Sequence, residues 1–186
     1  FQTIFNLVTA VVLLPFTGLL VKIACAIVKD DEVEEGEKYP ELAALDSKLM
    51  MTPPIALAEV TKIAVNMACI AQENITLSMK QFKDYDEEVS AKINASEDKL
   101  DCFTDRADHY LIELSTHMKS ASDKNQHSML MQCIRDIERI GDYATNFDEL
   151  AKKKADTDVS FSKIAKKELA IINDAVAEIL RLTIEA

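Results

Sequence analysis

The sequence has few turn-forming residues. Its three glycines and four prolines make up 7 of 186 residues, where average usage would put these two types near ~12%. A collagen-like repeat, a flexible linker protein and a loop-rich all-β sandwich all need many more of them. Beyond Pro54 there is no further proline and one glycine, Gly141. With no tryptophan and 6% aromatic residues, the sequence predicts an all-α protein with an aliphatic core.

The chain is also poor in positive charge, and this bears on its partners. It has 21 basic and 32 acidic residues, a net charge of -11. An acidic chain repels phosphate backbones, so we expect no nucleic-acid partner and favour cations as ligands.

Signatures of catalysis are missing from the sequence. It contains no Gly-rich phosphate loop, no Ser-His-Asp arrangement and no Glu-x-x-His pair of the kind that di-iron bundles use. The four cysteines lie far apart, which predicts reduced thiols rather than a disulfide framework or a zinc site. We therefore expect a protein that is not an enzyme.

One long apolar run occupies the start of the chain. Residues 4–28 carry a single charge, Lys22, and about 20 apolar residues suffice to span a bilayer. We expect a transmembrane helix within residues 1–29, followed by an acidic linker at 30–44; the alternative is a core helix of a soluble bundle. Because the sequence begins at Phe1 rather than Met, we expect this helix to be the last span of a larger membrane domain.

Apolar residues at helical spacing then predict four long helices. They cover about residues 52–82, 86–120, 122–155 and 162 to the end, with Thr52 and Ser162 as N-caps. Short polar connections make neighbouring helices antiparallel, so the first three close into a three-helix bundle. The fourth exposes its own apolar stripe, formed by Ile164, Leu169 and Ile172.

Two of these helices carry rows of carboxylates beside their apolar stripes. At about 100° per residue, Glu138 and Asp142 lie one turn apart on the third helix. Around the helix axis, Gly141 lies between these two carboxylates and the apolar stripe. The second helix has a matching row: Glu97, Asp101, Asp105 and Asp108. Glycine lets a neighbouring helix approach closely, and carboxylate oxygens suit Mg²⁺, Ca²⁺, Mn²⁺ or iron. The alternative is a solvated acidic face relieved by Arg106, Arg135 and Arg139.

The same residues resemble a known family. Residues 135–146 (RDIERIGDYATN) resemble the signature helix of PhoU domains, and residues 97–101 (EDKLD) resemble the acidic motif of the preceding helix. Residues 45–57 resemble the entry segment of sodium/phosphate cotransporter-related membrane proteins, and residues 1–16 resemble their last membrane span. The resemblance implies a PhoU-like domain at residues 45–186.

It also implies a function and a set of sites. The chain would be the C-terminal part of a sodium-dependent phosphate transporter in the inner membrane of a prokaryote. Residues after about 30 would be cytoplasmic and would modulate transport. Expected ligands are a divalent metal or an iron or zinc cluster on the domain, and sodium and inorganic phosphate in the membrane domain; a homo-oligomer is also expected. The metal ligands would be Glu97, Asp101, Glu138 and Asp142, with Asp105, Asp136, Asn146 and Arg139 as weaker candidates.

A different class of function remains open from the residues alone. The acidic row could belong to a membrane-tethered helical scaffold that binds a basic partner protein. Such binding would weaken with salt and survive removal of metal ions.

Overall fold

The computed structural model describes residues 38–157 and 159–185. Contacts divide the chain between Tyr39 and Pro40, and the unit that begins at Pro40 is the one described below. The transmembrane helix predicted within residues 1–29 and the first part of the predicted linker lie outside the described residues.

Four long helices make up this unit. They are α1 (Pro53–Gln81), α2 (Glu87–Ser115), α3 (Ala121–Asp156) and α4 (Lys163–Glu185), and two short 3-10 helices precede them at Pro40–Ala44 and Ser47–Met51. The described residues contain no strand, so the predicted all-α fold is confirmed.

Polar side chains set where the helices begin. Asp86 caps α2 by accepting the Glu88 amide at 2.8 Å, and Ser162 accepts the Ala165 amide at 3.1 Å before α4. Thr52 occupies the N-cap position of α1 without a capping hydrogen bond, and the next residue is Pro53, which has no amide to satisfy.

The sequence placed the end of α2 too late, at about residue 120. The helix ends at Ser115, because Ser120 serves as the N-cap of α3 and needs an extended backbone there. Its hydroxyl accepts the Ser122 amide at 3.2 Å.

Helices α1, α2 and α3 pack around one core. Its fully buried side chains come from all three helices: Leu57, Val60, Met67, Leu100, Phe103, Leu111, Leu114 and Ile134. The 3-10 segment adds Leu42, Leu45 and Met50. Burying one such side chain is worth about 1.5–3 kcal/mol, so the aliphatic stripes hold the bundle together.

Two polar contacts fasten the 3-10 segment to α2. The Lys99 ammonium lies 2.9 Å from the Glu41 carboxylate, and the Tyr110 hydroxyl donates to the Asp46 carbonyl at 3.0 Å. Residues 40–44, which the sequence assigns to the acidic linker, are therefore part of the compact unit.

Helix α1 has the composition of a membrane span. It is long and apolar enough to cross a bilayer. Within the fold it contacts all three other long helices, and 39% of its most apolar 18-residue stretch is buried. The core helix of a bundle has the same composition, so this is weak evidence of membrane association.

Helix α4 packs mainly on α1, and none of its described residues is fully buried. Val176 and Leu180 face the bundle, against a cluster that includes Ile75 and Ile93. The same helix also exposes apolar residues: Ile164, Ile171, Ile172, Ile179 and Leu182. Of the predicted stripe, Ile164 and Ile172 are exposed, whereas Leu169 is half-buried.

Candidate functional site

Helices α2 and α3 bring four predicted carboxylates into mutual electrostatic contact. Glu97 and Asp101 lie one turn apart on α2, and Glu138 and Asp142 lie one turn apart on α3. Each pair perturbs the protonation of the other, across the helix interface. We call these four residues the acidic cluster.

Gly141 makes the close approach at this interface. It is buried, and a Cβ atom at this position would lie 2.7 Å from Leu100 Cδ1 and 2.8 Å from Glu97 Oε2. The missing side chain thus makes room for one core residue and one carboxylate of α2. Gly141 lies on the boundary between the apolar stripe and the acidic cluster, as the sequence predicts.

Glu97 is the most perturbed member of the cluster. Its Oε2 atom is buried and has no hydrogen-bond partner within the described residues. Burial raises the pKa of Glu97 to about 7, and the negative charges of Asp101 and Asp142 and a side-chain hydrogen bond with Asp142 act in the same direction. Near neutral pH this carboxyl group therefore exchanges easily between its protonated and charged forms.

Two other members respond in the same way. Burial raises the pKa of Asp101 and of Glu138, and the nearby charge of Asp142 raises each of them further. Asp142 itself is exposed, and its charge acts on all three of the other members. The cluster is therefore a set of mutually repelling oxygens with one buried edge, at Glu97, and an open side.

The arginines do not neutralise this cluster. Within the described part of the chain, none of its four carboxylates forms an ion pair. Arg135 Nε lies 3.6 Å from Asp108 Oδ2, on the next turns of the two helices. The charge of Arg139 lowers the pKa of Glu138 only as the last of several causes.

The weaker candidates lie at the edge of the cluster or outside it. Asp105 is exposed, and its charge helps to raise the pKa of Asp101. Asp136 and Arg139 are exposed. Asn146 uses its side-chain amide within its own helix, donating to the Asp142 carbonyl at 2.7 Å.

The donor set suits a hard cation. It consists of carboxylate oxygens only, as Mg²⁺, Ca²⁺ and Mn²⁺ prefer, and Glu97 Oε2 is a buried acceptor without a donor. In the positions described, however, no three His, Cys, Asp or Glu side chains stand close enough together to hold an ion. The structure thus assembles suitable ligand atoms without a finished coordination shell.

Sequence analysis missed a buried carboxylate elsewhere in the bundle. Asp148 is 4% exposed and accepts hydrogen bonds from Gln81, at 3.0 Å, and from the Ser90 hydroxyl. Gln81 also bonds the backbone of Asp86, so the network joins α3 to the connection between α1 and α2. The signal was present, because Asp148 follows Ala144 by one turn on the core face of α3.

The described residues form an all-α bundle domain with an acidic cluster between its second and third long helices. Residues 64–151 match the PhoU domain family. This matched stretch includes all of α2, most of α1 and α3, and the acidic cluster. PhoU domains are generally regulatory domains in phosphate homeostasis rather than catalysts. No curated protein and no solved structure matches the chain.

Proposed function

We propose that this PhoU domain regulates phosphate transport and binds a divalent cation at the acidic cluster. The observation that supports the cation site most directly is Glu97 Oε2, a buried oxygen that accepts no hydrogen bond from a donor of the described residues, beside three other carboxylates that lack ion pairs. A cation there would turn the repulsion among Glu97, Asp101, Glu138 and Asp142 into attraction. Asp105 would lie at the edge of such a site.

The cation would bridge the two helices by binding carboxylates from each of them. Glu97 and Asp101 would contribute from α2, and Glu138 and Asp142 from α3, so that the bound state ties the helices together. Without the ion, the repulsion would loosen the same interface. The resulting change in local rigidity would be the signal that the regulatory domain passes on.

We also propose that this domain belongs to a sodium-dependent phosphate transporter. Its support is the general role of PhoU domains in phosphate homeostasis, the apolar run at residues 4–28 and the resemblance of residues 45–57 to cotransporter-related proteins. Sodium and phosphate would bind in the membrane domain, in the inner membrane of a prokaryote. The PhoU domain would be cytoplasmic and would modulate transport.

Cation binding to the purified full chain tests the site. We expect calorimetric titration with Mn²⁺ to show saturable binding, and Glu138→Gln/Asp142→Asn to weaken it at least tenfold. The control Glu149→Gln/Asp156→Asn removes the same charge from exposed positions of α3 and should bind like the wild type. Equal binding by both double variants would refute the assignment.

A second function is favoured by the open side of the cluster, where Asp101, Asp105 and Asp142 are all exposed. A membrane-tethered scaffold could present them to a basic partner protein. Partner binding that weakens with salt but persists in a chelator would support the scaffold, whereas binding that the chelator alters would support the cation site.

A further inference from the structure

A second concave surface lies away from the acidic cluster. A cleft of about 440 Å³ opens between the C-terminal ends of α1 and α3 and the N-terminal half of α4. Clefts of this size are typical of small-ligand sites. We call it the lysine cleft, for the four lysines that line it: Lys80, Lys83, Lys154 and Lys166.

The floor of the lysine cleft is apolar. Met79, Phe82, Phe161 and Leu169 contribute to it, and the rings of Phe82 and Phe161 lie 6.2 Å apart between centroids. Phe82 also packs edge-on against Phe147, at 6.4 Å, which anchors this side of the floor to α3. A guest that fills the cleft therefore needs an apolar body.

The lysines give the cleft a positive rim in a chain whose net charge is -11. Within the described residues none of the four forms an ion pair, although Lys154 Nζ lies 5.7 Å from the centre of the Phe161 ring. Four like charges around one opening repel each other until an anion enters.

Helix termini account for only part of this rim. Lys80 and Lys154 lie in the last turns of α1 and α3, where a positive charge is favourable for the helix dipole. Lys166 lies near the start of α4, whose first turn has no acidic residue, and there a positive charge is unfavourable. An anion in the cleft would offset this unfavourable charge.

We propose that the lysine cleft binds an acyl chain of an amphipathic anion with a carboxylate or phosphate head group. The chain would lie on the floor of Phe82, Phe161 and Leu169, and the head group would meet Lys154 and Lys166. Inorganic phosphate alone would leave the apolar floor in contact with water. A free fatty acid and an anionic membrane lipid both supply this chemistry, and the test distinguishes them.

Photo-labelling of the full chain provides the test. The protein is reconstituted in phosphatidylcholine nanodiscs and exposed to a diazirine fatty acid, or to the alcohol of the same length. A separate sample carries diazirine phosphatidic acid in the disc. Peptide mapping should find label from an anionic probe at residues 159–170, and little from the alcohol.

Two double variants decide the role of charge. Lys154→Gln/Lys166→Gln should weaken labelling about twofold to thirtyfold, the range expected for two exposed ion pairs. Lys152→Gln/Lys163→Gln removes two exposed lysines of the same helices that do not line the cleft, and should label like the wild type. Circular dichroism checks that both variants remain folded.

Each outcome bears on the proposal. Cleft labelling by the fatty acid alone assigns a free amphiphile, and labelling by the phosphatidic acid alone assigns a membrane lipid. Labelling by both supports the shared chemistry. Equal labelling by the alcohol, label only at other residues, or equal losses in the two double variants would overturn it.

Discussion

Replacing Glu97 by glutamine should make the protein more stable at alkaline pH and leave it nearly unchanged at acidic pH. The pKa of this carboxyl group rises from 4.5 to about 7 on folding, mainly through burial. Between these two values the unfolded chain binds fewer protons than the folded protein. The free energy of unfolding therefore falls as the pH rises from about 4.5 to about 7.

The size of the effect follows from the same pKa. For a fully buried group, a rise from 4.5 to about 7 would correspond to about 3.4 kcal/mol of destabilisation above pH 7. Glu97 is only half-buried, and solvent screening reduces this to about 1–2 kcal/mol. Glutamine keeps the shape of the side chain, carries no charge, and has amide hydrogens to donate to the neighbouring carboxylates.

Urea unfolding of the full chain in a chelator, followed by circular dichroism, measures this difference. We expect Glu97→Gln to raise the free energy of unfolding by about 1–2 kcal/mol at pH 8 and by less than about 0.5 kcal/mol at pH 5. The control Glu168→Gln removes one exposed charge from α4 and should show no such pH dependence. A difference that is the same at both pH values, or a loss of stability at pH 8, would refute the reasoning.

Three further predictions concern packing. Gly141→Ala should lower the free energy of unfolding by about 1 kcal/mol in thermal or urea unfolding, because its Cβ would lie 2.7 Å from the buried Leu100 and overpacking outweighs the gain in helix propensity; a gain would contradict this. Asp148→Ala should cost about 2–4 kcal/mol through lost hydrogen bonds and Asp148→Asn less, and equal costs would argue against the buried network. Val176→Ser should cost about 1–2 kcal/mol and Ile172→Ser under about 0.5 kcal/mol, since only Val176 packs on the bundle; the reverse order would contradict the packing of α4.

The helices themselves could be predicted from the sequence. Apolar residues at helical spacing located all four. Of the two predicted N-caps, Ser162 accepts a capping hydrogen bond and Thr52 does not. Scarcity of glycine and proline excluded other fold classes. The end of α2 was misplaced because the apolar period continues past Ser115, whereas the capping role of Ser120 interrupts the helix.

The acidic cluster could be predicted as a set but not in its internal order. Helical spacing assigns Glu97 and Asp101 to one face of α2, since the period of a helix fixes the direction of its side chains. Which of them is buried depends on how α2 and α3 are rotated and how closely they approach. The structure places Glu97 over Gly141 and leaves Asp101 exposed, and so makes Glu97 the strongly perturbed carboxyl group.

Features built from distant parts of the chain needed the tertiary structure. Asp148 meets Gln81 across 67 positions of sequence, and the lysine cleft joins α1, α3 and α4. The sequence alone determined the helices, their apolar faces and the rows of charge along them, because these depend on local periodicity. Only the packing of helix against helix decided which charged groups lose water and which face one another, because burial and electrostatic coupling depend on neighbours in space.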